Sequence, residues 1–166
     1  YIGSHAVLAL RDAGRRVIVL DDLSTGSRGV VPQGVELVIG NAGDRQLGRQ
    51  LIATRGIDSV MHFAGSIRVE ESVRAPLRYY ENNVVVGRNL LEACSAAGIA
   101  RFIYSSTAAV YGAPDQVPIP ETAATRPINP YGSSKLVTEW MLRDLARASG
   151  LRYVALRYFN VAGADP

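Results

Sequence analysis

Asp58-Ser-Val-Met-His-Phe63 and Arg101-Phe-Ile-Tyr104 are two short apolar runs on either side of a long helical stretch. The helical stretch covers about residues 76–97 and ends at Gly98, a residue typical of helix C-termini. Short runs with apolar residues at neighbouring positions predict strands that have apolar side chains on both faces. The order strand, helix, strand therefore predicts two parallel strands joined by a helical crossover.

The same alternation extends in both directions from this unit. It comprises a helix over 3–14, strands over 16–20 and 35–39, a helix over 45–54, a helix from Tyr131 to about Ser149, and a last strand over 152–157. Strands alternating with helices are typical of a parallel sheet covered by helices on both faces. The sequence therefore predicts an α/β fold with a doubly wound, Rossmann-like parallel sheet.

Composition excludes several classes of protein. The 166 residues are 48% hydrophobic and 20% charged, with a net charge of +3, and the arginines are scattered. We therefore predict a globular chain that binds neither nucleic acid nor membrane, because it has no basic cluster and no long apolar run. The single cysteine, Cys94, suits a reducing compartment and predicts a cytoplasmic protein. His5 and His62 lack partners at metal-ligand spacing, so we predict no metal.

Tyr131-Gly-Ser-Ser-Lys135 places a phenol and an amine about one helical turn apart. An ammonium beside a phenol favours the phenolate and lowers its pKa, so that it can exchange a proton with an alcohol hydroxyl. The alternative is a buried tyrosine and a solvated lysine that merely share a turn. Spacing alone leaves both interpretations open.

Three predicted strands end in residues suited to ligands. Asp21 lies about 18 residues after Gly3, where a dinucleotide fold places the carboxylate that binds a ribose 2′-hydroxyl and disfavours NADP. His62-Phe-Ala-Gly65 and Ser105-Ser-Thr107 offer close backbone approach and hydroxyl groups. Each segment could equally be an ordinary turn at the end of a strand.

Seven segments carry a family resemblance. They are Tyr1-Ile-Gly-Ser-His5, Val19-Leu-Asp-Asp-Leu23, His62-Phe-Ala-Gly65, Tyr79-Tyr-Glu-Asn-Asn83, Ser105-Ser-Thr107 with Val110-Tyr-Gly112, Asn129-Pro-Tyr-Gly-Ser-Ser-Lys135, and Arg157-Tyr-Phe-Asn-Val-Ala-Gly163. In this order they resemble the extended short-chain dehydrogenase/reductase family, and within it the UDP-glucose (UDP-galactose) 4-epimerases.

The resemblance implies a reaction and a role for each matching residue. NAD would take a hydride from C4 of a UDP-hexose and return it to the other face of the 4-keto sugar. Tyr131 would be the acid and base, Lys135 would lower its pKa and bind the nicotinamide ribose, and Thr107 would bind the 4-oxygen. Asn160 would contact the substrate phosphates. The implied NAD-binding residues are Ile2, Gly3, Asp21, Asp22, Asn41, Ala42, Phe63, Ala64, Gly65, Asn82, Lys135 and Tyr158. A homodimer is also implied.

Other members of the family offer alternatives. Dehydratases typically follow the threonine with Asp-Glu, and decarboxylases usually show Thr-Ser-Glu-Val-Tyr-Gly. This chain has Ala108-Ala109, which cannot move protons, and this favours epimerisation.

The resemblance also implies that family members have parts that residues 1–166 would lack. Compared with the family, residues 1–166 would be a NAD-binding domain without the central first strand and the C-terminal substrate domain. Two strands would then lack a pairing partner. An inactive fragment or a non-catalytic NAD-binding domain therefore remains an alternative.

Overall fold

The apolar runs form strands in the computed structural model, which describes residues 1–163. Within that range the strands are β1 (Ile18–Asp21), β2 (Glu36–Ile39), β3 (Ser59–His62), β4 (Arg101–Ser105) and β5 (Arg152–Leu156). The helices are α1 (Ile2–Asp12), α2 (Arg45–Arg55), α3 (Val69–Arg74), α4 (Pro76–Tyr79), α5 (Val86–Ala96) and α6 (Pro130–Ser149). A π-helical turn spans Tyr80–Val85, and 3₁₀ turns span Arg28–Val30 and Ala108–Tyr111.

All strand pairs in the described part of the chain are parallel, which confirms the predicted α/β class. The strands form two sheets, one of β1 and β2 and one in the order β3-β4-β5. Within residues 1–163, β1 and β3 have no ladder between them. This agrees with the expectation that two strands would lack a pairing partner.

The helix boundaries follow from local chemistry. The Asp44 carboxylate accepts hydrogen bonds from the backbone N–H groups of Gln46 and Leu47, both at 3.0 Å, and so caps α2. The chain leaves α2 at Gly56, which has a φ of 60° in the left-handed region that glycine adopts without strain. At α6, Asn129 caps the N-terminus and Pro130 occupies the first turn, where its missing N–H costs nothing.

The helix predicted over 76–97 is not continuous, and α3 before it was not predicted. The π-helical turn at Tyr80–Val85 interrupts it. Such turns insert one extra residue and are frequent at functional sites. Here the turn carries Asn83, which is only 2% exposed and whose side chain forms hydrogen bonds to two other segments. Helical periodicity does not reveal such tertiary contacts, so the sequence pattern predicted a continuous helix here.

The main hydrophobic core lies between β4 and the helices α2, α5 and α6. Its members are apolar or aromatic and nearly inaccessible to solvent: Ile52, Leu90, Leu91, Cys94, Ile99, Phe102, Tyr104, Leu142 and Leu151. Burial of such a cluster is the dominant stabilising term for the fold. It fixes α6 against β4, and these are the elements that carry the candidate site.

Leu142 is fully buried in this core, so Leu142→Ala should lower the free energy of unfolding by about 2–5 kcal/mol. The matched control is Leu142→Met, which keeps the volume and should cost less than about 1.5 kcal/mol. Denaturant unfolding of the protein in its full natural length measures both changes. Equal effects of the two substitutions would contradict tight packing of α6 on the sheet.

Candidate active site

Parallel pairing brings the carboxyl ends of three neighbouring strands to one edge of the sheet. His62 of β3 lies opposite Tyr104 of β4, and Ser105 lies opposite Leu156 of β5. The segments that leave these ends contain Phe63, Thr107 and Tyr158. In open parallel sheets, ligands bind outside this edge. The structure thus brings three of the predicted site residues to the place where a ligand is expected.

Thr107 is held in extended backbone at the start of the 3₁₀ turn. It is 8% exposed, and its hydroxyl accepts a hydrogen bond of 3.1 Å from the Ala109 N–H. The next residue, Ala108, donates its N–H to the Tyr158 carbonyl oxygen at 3.0 Å. This bond joins the segments that follow β4 and β5, so the position of Thr107 is tied to that of Tyr158.

Tyr131 lies in the first turn of α6, close against the segment of Thr107. The next residue, Gly132, packs so tightly that a Cβ atom there would lie 2.7 Å from the Ala109 carbonyl oxygen. The Tyr131 ring also meets the Tyr79 ring edge-on, with 6.5 Å between the ring centroids. The Tyr79 hydroxyl is itself fixed, because it accepts a 2.9 Å hydrogen bond from the Arg68 N–H. The half-buried phenol of Tyr131 is therefore confined on two sides.

Lys135 is one helical turn after Tyr131 and is only 2% exposed, which rules out the alternative of a solvated lysine. Its ammonium donates a 3.0 Å hydrogen bond to the Ser105 carbonyl oxygen at the end of β4. It also lies 5.2 Å from the centroid of the Tyr104 ring, within range of a cation–π interaction. Burial lowers the pKa of Lys135 from 10.5 to about 8. It is the only lysine among the 166 residues.

The direction predicted for the Tyr131 pKa is not the one found in this chain. Burial of the phenol raises its pKa, and the hydrogen bond with the Thr107 side chain opposes that effect. The ammonium of Lys135 is directed at the Ser105 carbonyl. The expected lowering considered only the charge of the ammonium, whereas in the folded site burial of the phenol has the larger effect on its pKa.

Asp21 is the last residue of β1 and Asp22 follows it, at the edge of the other sheet. One Asp21 carboxylate oxygen accepts a 2.7 Å hydrogen bond from the Leu23 N–H, and Leu23 adopts a φ of 58°, which is uncommon outside glycine. A Cβ atom on Gly26 would lie 3.0 Å from the same carboxylate, so the loop wraps closely around it. Asp22 instead accepts bonds from the backbone and side chain of Ser24, which lower its pKa.

The remaining predicted cofactor residues divide between the two sheets. Asn41 and Ala42 follow β2, and the Asn41 side chain accepts a 2.7 Å hydrogen bond from the Gly43 N–H. Ile2 and Gly3 begin α1, and a Cβ atom on Gly3 would lie 3.5 Å from the Phe63 Cβ. The first turn of α1 therefore lies against the segment that follows β3.

The segment after β3 is held by two asparagines. Asn82 donates a 2.9 Å hydrogen bond to the Ser66 hydroxyl. Asn83 accepts from the Ser66 N–H at 2.7 Å, and it donates to the Ser66 carbonyl at 3.0 Å and to the Ser134 hydroxyl at 2.9 Å. Sequence reasoning selected Asn82 and missed Asn83. The only signal was the pair of adjacent asparagines, which does not show which of them is buried.

Ala64 and Gly65 lie exposed in this segment, and Asn160 lies exposed after β5. Gly65 has a φ of 149°. A side chain there would meet the Asn83 amide oxygen at 2.8 Å and the Lys135 ammonium at 3.4 Å. A glycine is therefore required where the segment after β3 approaches Lys135.

Among residues 1–163 no group of three or more His, Cys, Asp and Glu residues could hold a metal ion. None of the helices in that range is long and apolar enough to cross a bilayer.

Comparison with known proteins identifies the family to which this chain belongs. The NAD dependent epimerase/dehydratase family matches residues 1–166, and the chain belongs to that family. Among curated proteins it is 58% identical over 166 residues to the UDP-glucose 4-epimerase of Azospirillum brasilense, which covers 100% of this chain and 48% of that protein.

Solved structures give the same result. The chain resembles UDP-glucose 4-epimerase from Brucella ovis in complex with NAD, with a TM-score of 0.97 and 45% identity over 99% of this chain and 50% of that chain. It also resembles the Thermotoga maritima UDP-glucose 4-epimerase with UDP-glucose, with a TM-score of 0.93 and 37% identity. The match covers 98% of this chain and 53% of that chain. The chain spans about half the length of the relatives it matches.

Gly132→Ala should lower the free energy of unfolding by about 1–2 kcal/mol, because overpacking against the Ala109 carbonyl outweighs the gain in helix propensity. The matched control is Gly29→Ala, where a Cβ atom would meet only the Ser27 hydroxyl at 3.6 Å. Denaturant unfolding compares the two. A stabilising effect of Gly132→Ala would show that α6 does not pack this closely on the 3₁₀ turn.

The depressed pKa of Lys135 predicts a rise in stability with pH. The amine loses its proton near pH 8 when folded and near 10.5 when unfolded. The unfolded chain therefore binds more protons between those values, and the free energy of unfolding rises with pH there.

In Lys135→Met this rise should be absent. Denaturant unfolding from pH about 7 to about 10 gives the free energy of unfolding of wild type and variant. Subtracting one from the other at each pH removes the effect of the tyrosine titrations that both proteins share. Parallel pH profiles would refute a buried, easily deprotonated Lys135.

Proposed function

We propose that the protein carrying this chain catalyses the NAD-dependent 4-epimerisation of a UDP-hexose such as UDP-glucose or UDP-galactose, with residues 1–166 as its NAD-binding part. The observation that supports this most is the joint placement of Thr107, Tyr131 and Lys135 at the carboxyl edge of β4. The relatives named UDP-glucose 4-epimerase support the choice of substrate class.

The residues present fit a dinucleotide. The N-terminus of α1 lies against Phe63, and backbone N–H groups at such a terminus suit a pyrophosphate. Asp21 is the last residue of β1, where a carboxylate suits an adenosine ribose and disfavours the 2′-phosphate of NADP. Gly65 permits close backbone approach beside Lys135. Ile2, Gly3, Ala64, Asn82 and Tyr158 would complete the binding surface, with Asp22, Asn41 and Ala42 on the adenine side.

NAD, when bound, supplies a hydride acceptor and donor. The residues of the chain then manage the proton. Tyr131 takes the proton of the sugar 4-hydroxyl as the sugar becomes a 4-keto intermediate, and it later returns the proton. Thr107 holds the 4-oxygen and the phenol in one hydrogen-bonded group. Lys135 is anchored to the Ser105 carbonyl and presents its remaining N–H groups to the nicotinamide ribose.

Epimerisation is favoured over elimination by the residues that follow Thr107. Ala108 and Ala109 begin the 3₁₀ turn directly beside it, and their side chains carry no acid or base. An elimination would need a further proton donor and acceptor in this region. Asn160 is exposed after β5, and its proposed role is to contact the substrate phosphates.

A homodimer is part of the proposal. Val73, Leu77 and Trp140 are 63%, 80% and 46% exposed on α3, α4 and α6. These three helices contact one another, and large apolar side chains exposed on neighbouring elements favour association with another protein surface. A second copy of the protein is the partner that the family resemblance implies.

Tyr131→Phe should lower the rate of UDP-galactose conversion to UDP-glucose by about 10²–10⁴-fold, because general acid and base catalysis is lost. NAD content should stay near the wild-type value, since the ring and its contacts are kept. The matched control is Tyr153→Phe on β5, a half-buried phenol away from the carboxyl edge, which should leave the rate unchanged. Full activity of Tyr131→Phe in the protein of full natural length would overturn the assigned role.

A further inference from the structure

Behind Tyr131 and Lys135, α6 carries a buried ion pair that the proposed reaction does not use. The Glu139 side chain is 7% exposed, and its partner Arg157, directly after β5, is 26% exposed. The Arg157 Nη2 lies 2.5 Å from one carboxylate oxygen, and Nε donates to both oxygens at 3.0 and 3.1 Å. The pair is therefore a two-pronged, charge-assisted contact of fixed geometry.

The same carboxylate holds the end of β4. The Ser106 hydroxyl, in a residue 1% exposed, donates a hydrogen bond to the Glu139 carboxylate. Ser106 lies between Ser105, whose carbonyl accepts from Lys135, and Thr107. Glu139 is thus connected to the residue that lies between the acceptor of the Lys135 hydrogen bond and Thr107.

Arg157 extends the connection to the 3₁₀ turn. Its Nη1 donates a 2.9 Å hydrogen bond to the Tyr111 hydroxyl, and its guanidinium carbon lies 5.0 Å from the centroid of the Tyr111 ring. Tyr111 ends the turn that Thr107 begins. Because Tyr131, Lys135 and Glu139 recur every four residues, they share one face of α6.

We infer that Glu139 and Arg157 are positioning residues for the hydroxyl groups of Thr107 and Tyr131. They hold the end of β4, the 3₁₀ turn and the start of α6 at fixed distances from one another. This inference rests on the proposed function. Neither residue exchanges a proton with the substrate. Each acts by fixing the distance between the two hydroxyls, and small displacements of reacting groups are costly to rate.

Two variants separate a positioning role of this ion pair from a purely structural role. Replacing a buried ion pair by apolar residues of similar volume is often neutral or stabilising. The double variant Glu139→Leu with Arg157→Leu should therefore fold and bind NAD while losing the polar connections to Ser106 and Tyr111. Glu139→Gln is the milder change, because it keeps the shape of the side chain. In the wild type, Ser106 and Arg157 donate to two carboxylate oxygens, whereas the amide offers one acceptor oxygen.

In the protein of full natural length, both variants should lower kcat for epimerisation by about 10–100-fold while KM changes by less than about 3-fold. The pH at which kcat reaches half its upper value should move upwards, because the Thr107 hydrogen bond opposes the raised pKa of Tyr131. The control is Glu36→Gln, which removes the exposed Glu36–Arg55 pair and should leave kcat, KM and pH profile unchanged.

The outcomes separate the two hypotheses. An inactive wild-type protein with UDP-glucose and UDP-galactose would refute the proposed function. An active wild type whose variants keep kcat within about 2-fold, or lose only KM, would refute the positioning role alone. If Glu139→Gln does not fold, the double variant, judged by its NAD content and denaturant unfolding, decides the question.

Discussion

The hydrogen bond between the Lys135 ammonium and the Ser105 carbonyl joins α6 to the end of β4, and the candidate site is arranged around it. A buried ammonium is costly unless its hydration is replaced, and here one carbonyl and the face of the Tyr104 ring replace part of it. The remaining cost is visible as the lowered pKa of Lys135. Because this contact fixes the helix against the strand, it also sets where Tyr131 meets Thr107.

The segment after β3 closes the site on the other side of Lys135. Asn83 forms three hydrogen bonds to Ser66 and Ser134, and Gly65 leaves room beside the ammonium. The π-helical turn is the backbone distortion that directs Asn83 inward. The segment proposed to bind the cofactor and the helix proposed to carry the proton-transfer residue are therefore connected through the Asn83 side chain.

Much of this was predictable because it depends on local pattern. The apolar runs predicted the strands, and Gly98 predicted the end of the helix that precedes β4. Parallel strands place their carboxyl ends together, which brings Phe63, Thr107 and Tyr158 to one edge. The burial of Lys135 and the raised pKa of Tyr131 were not predictable, since both arise from packing between distant segments. The Glu139–Arg157 pair has the same origin, because its partners lie on α6 and after β5.

The use of a single lysine has a consequence for covalent chemistry. The positive side chains of these 166 residues are otherwise all arginine, and the one primary amine is 2% exposed. Reagents and enzymes that acylate lysine amines therefore find no accessible side-chain target in this stretch while it stays folded. Its surface charge is carried by guanidinium groups, which keep their proton at any physiological pH. Acylation at Lys135 would report local opening of α6 from β4, so the amine is a built-in probe of the integrity of the site.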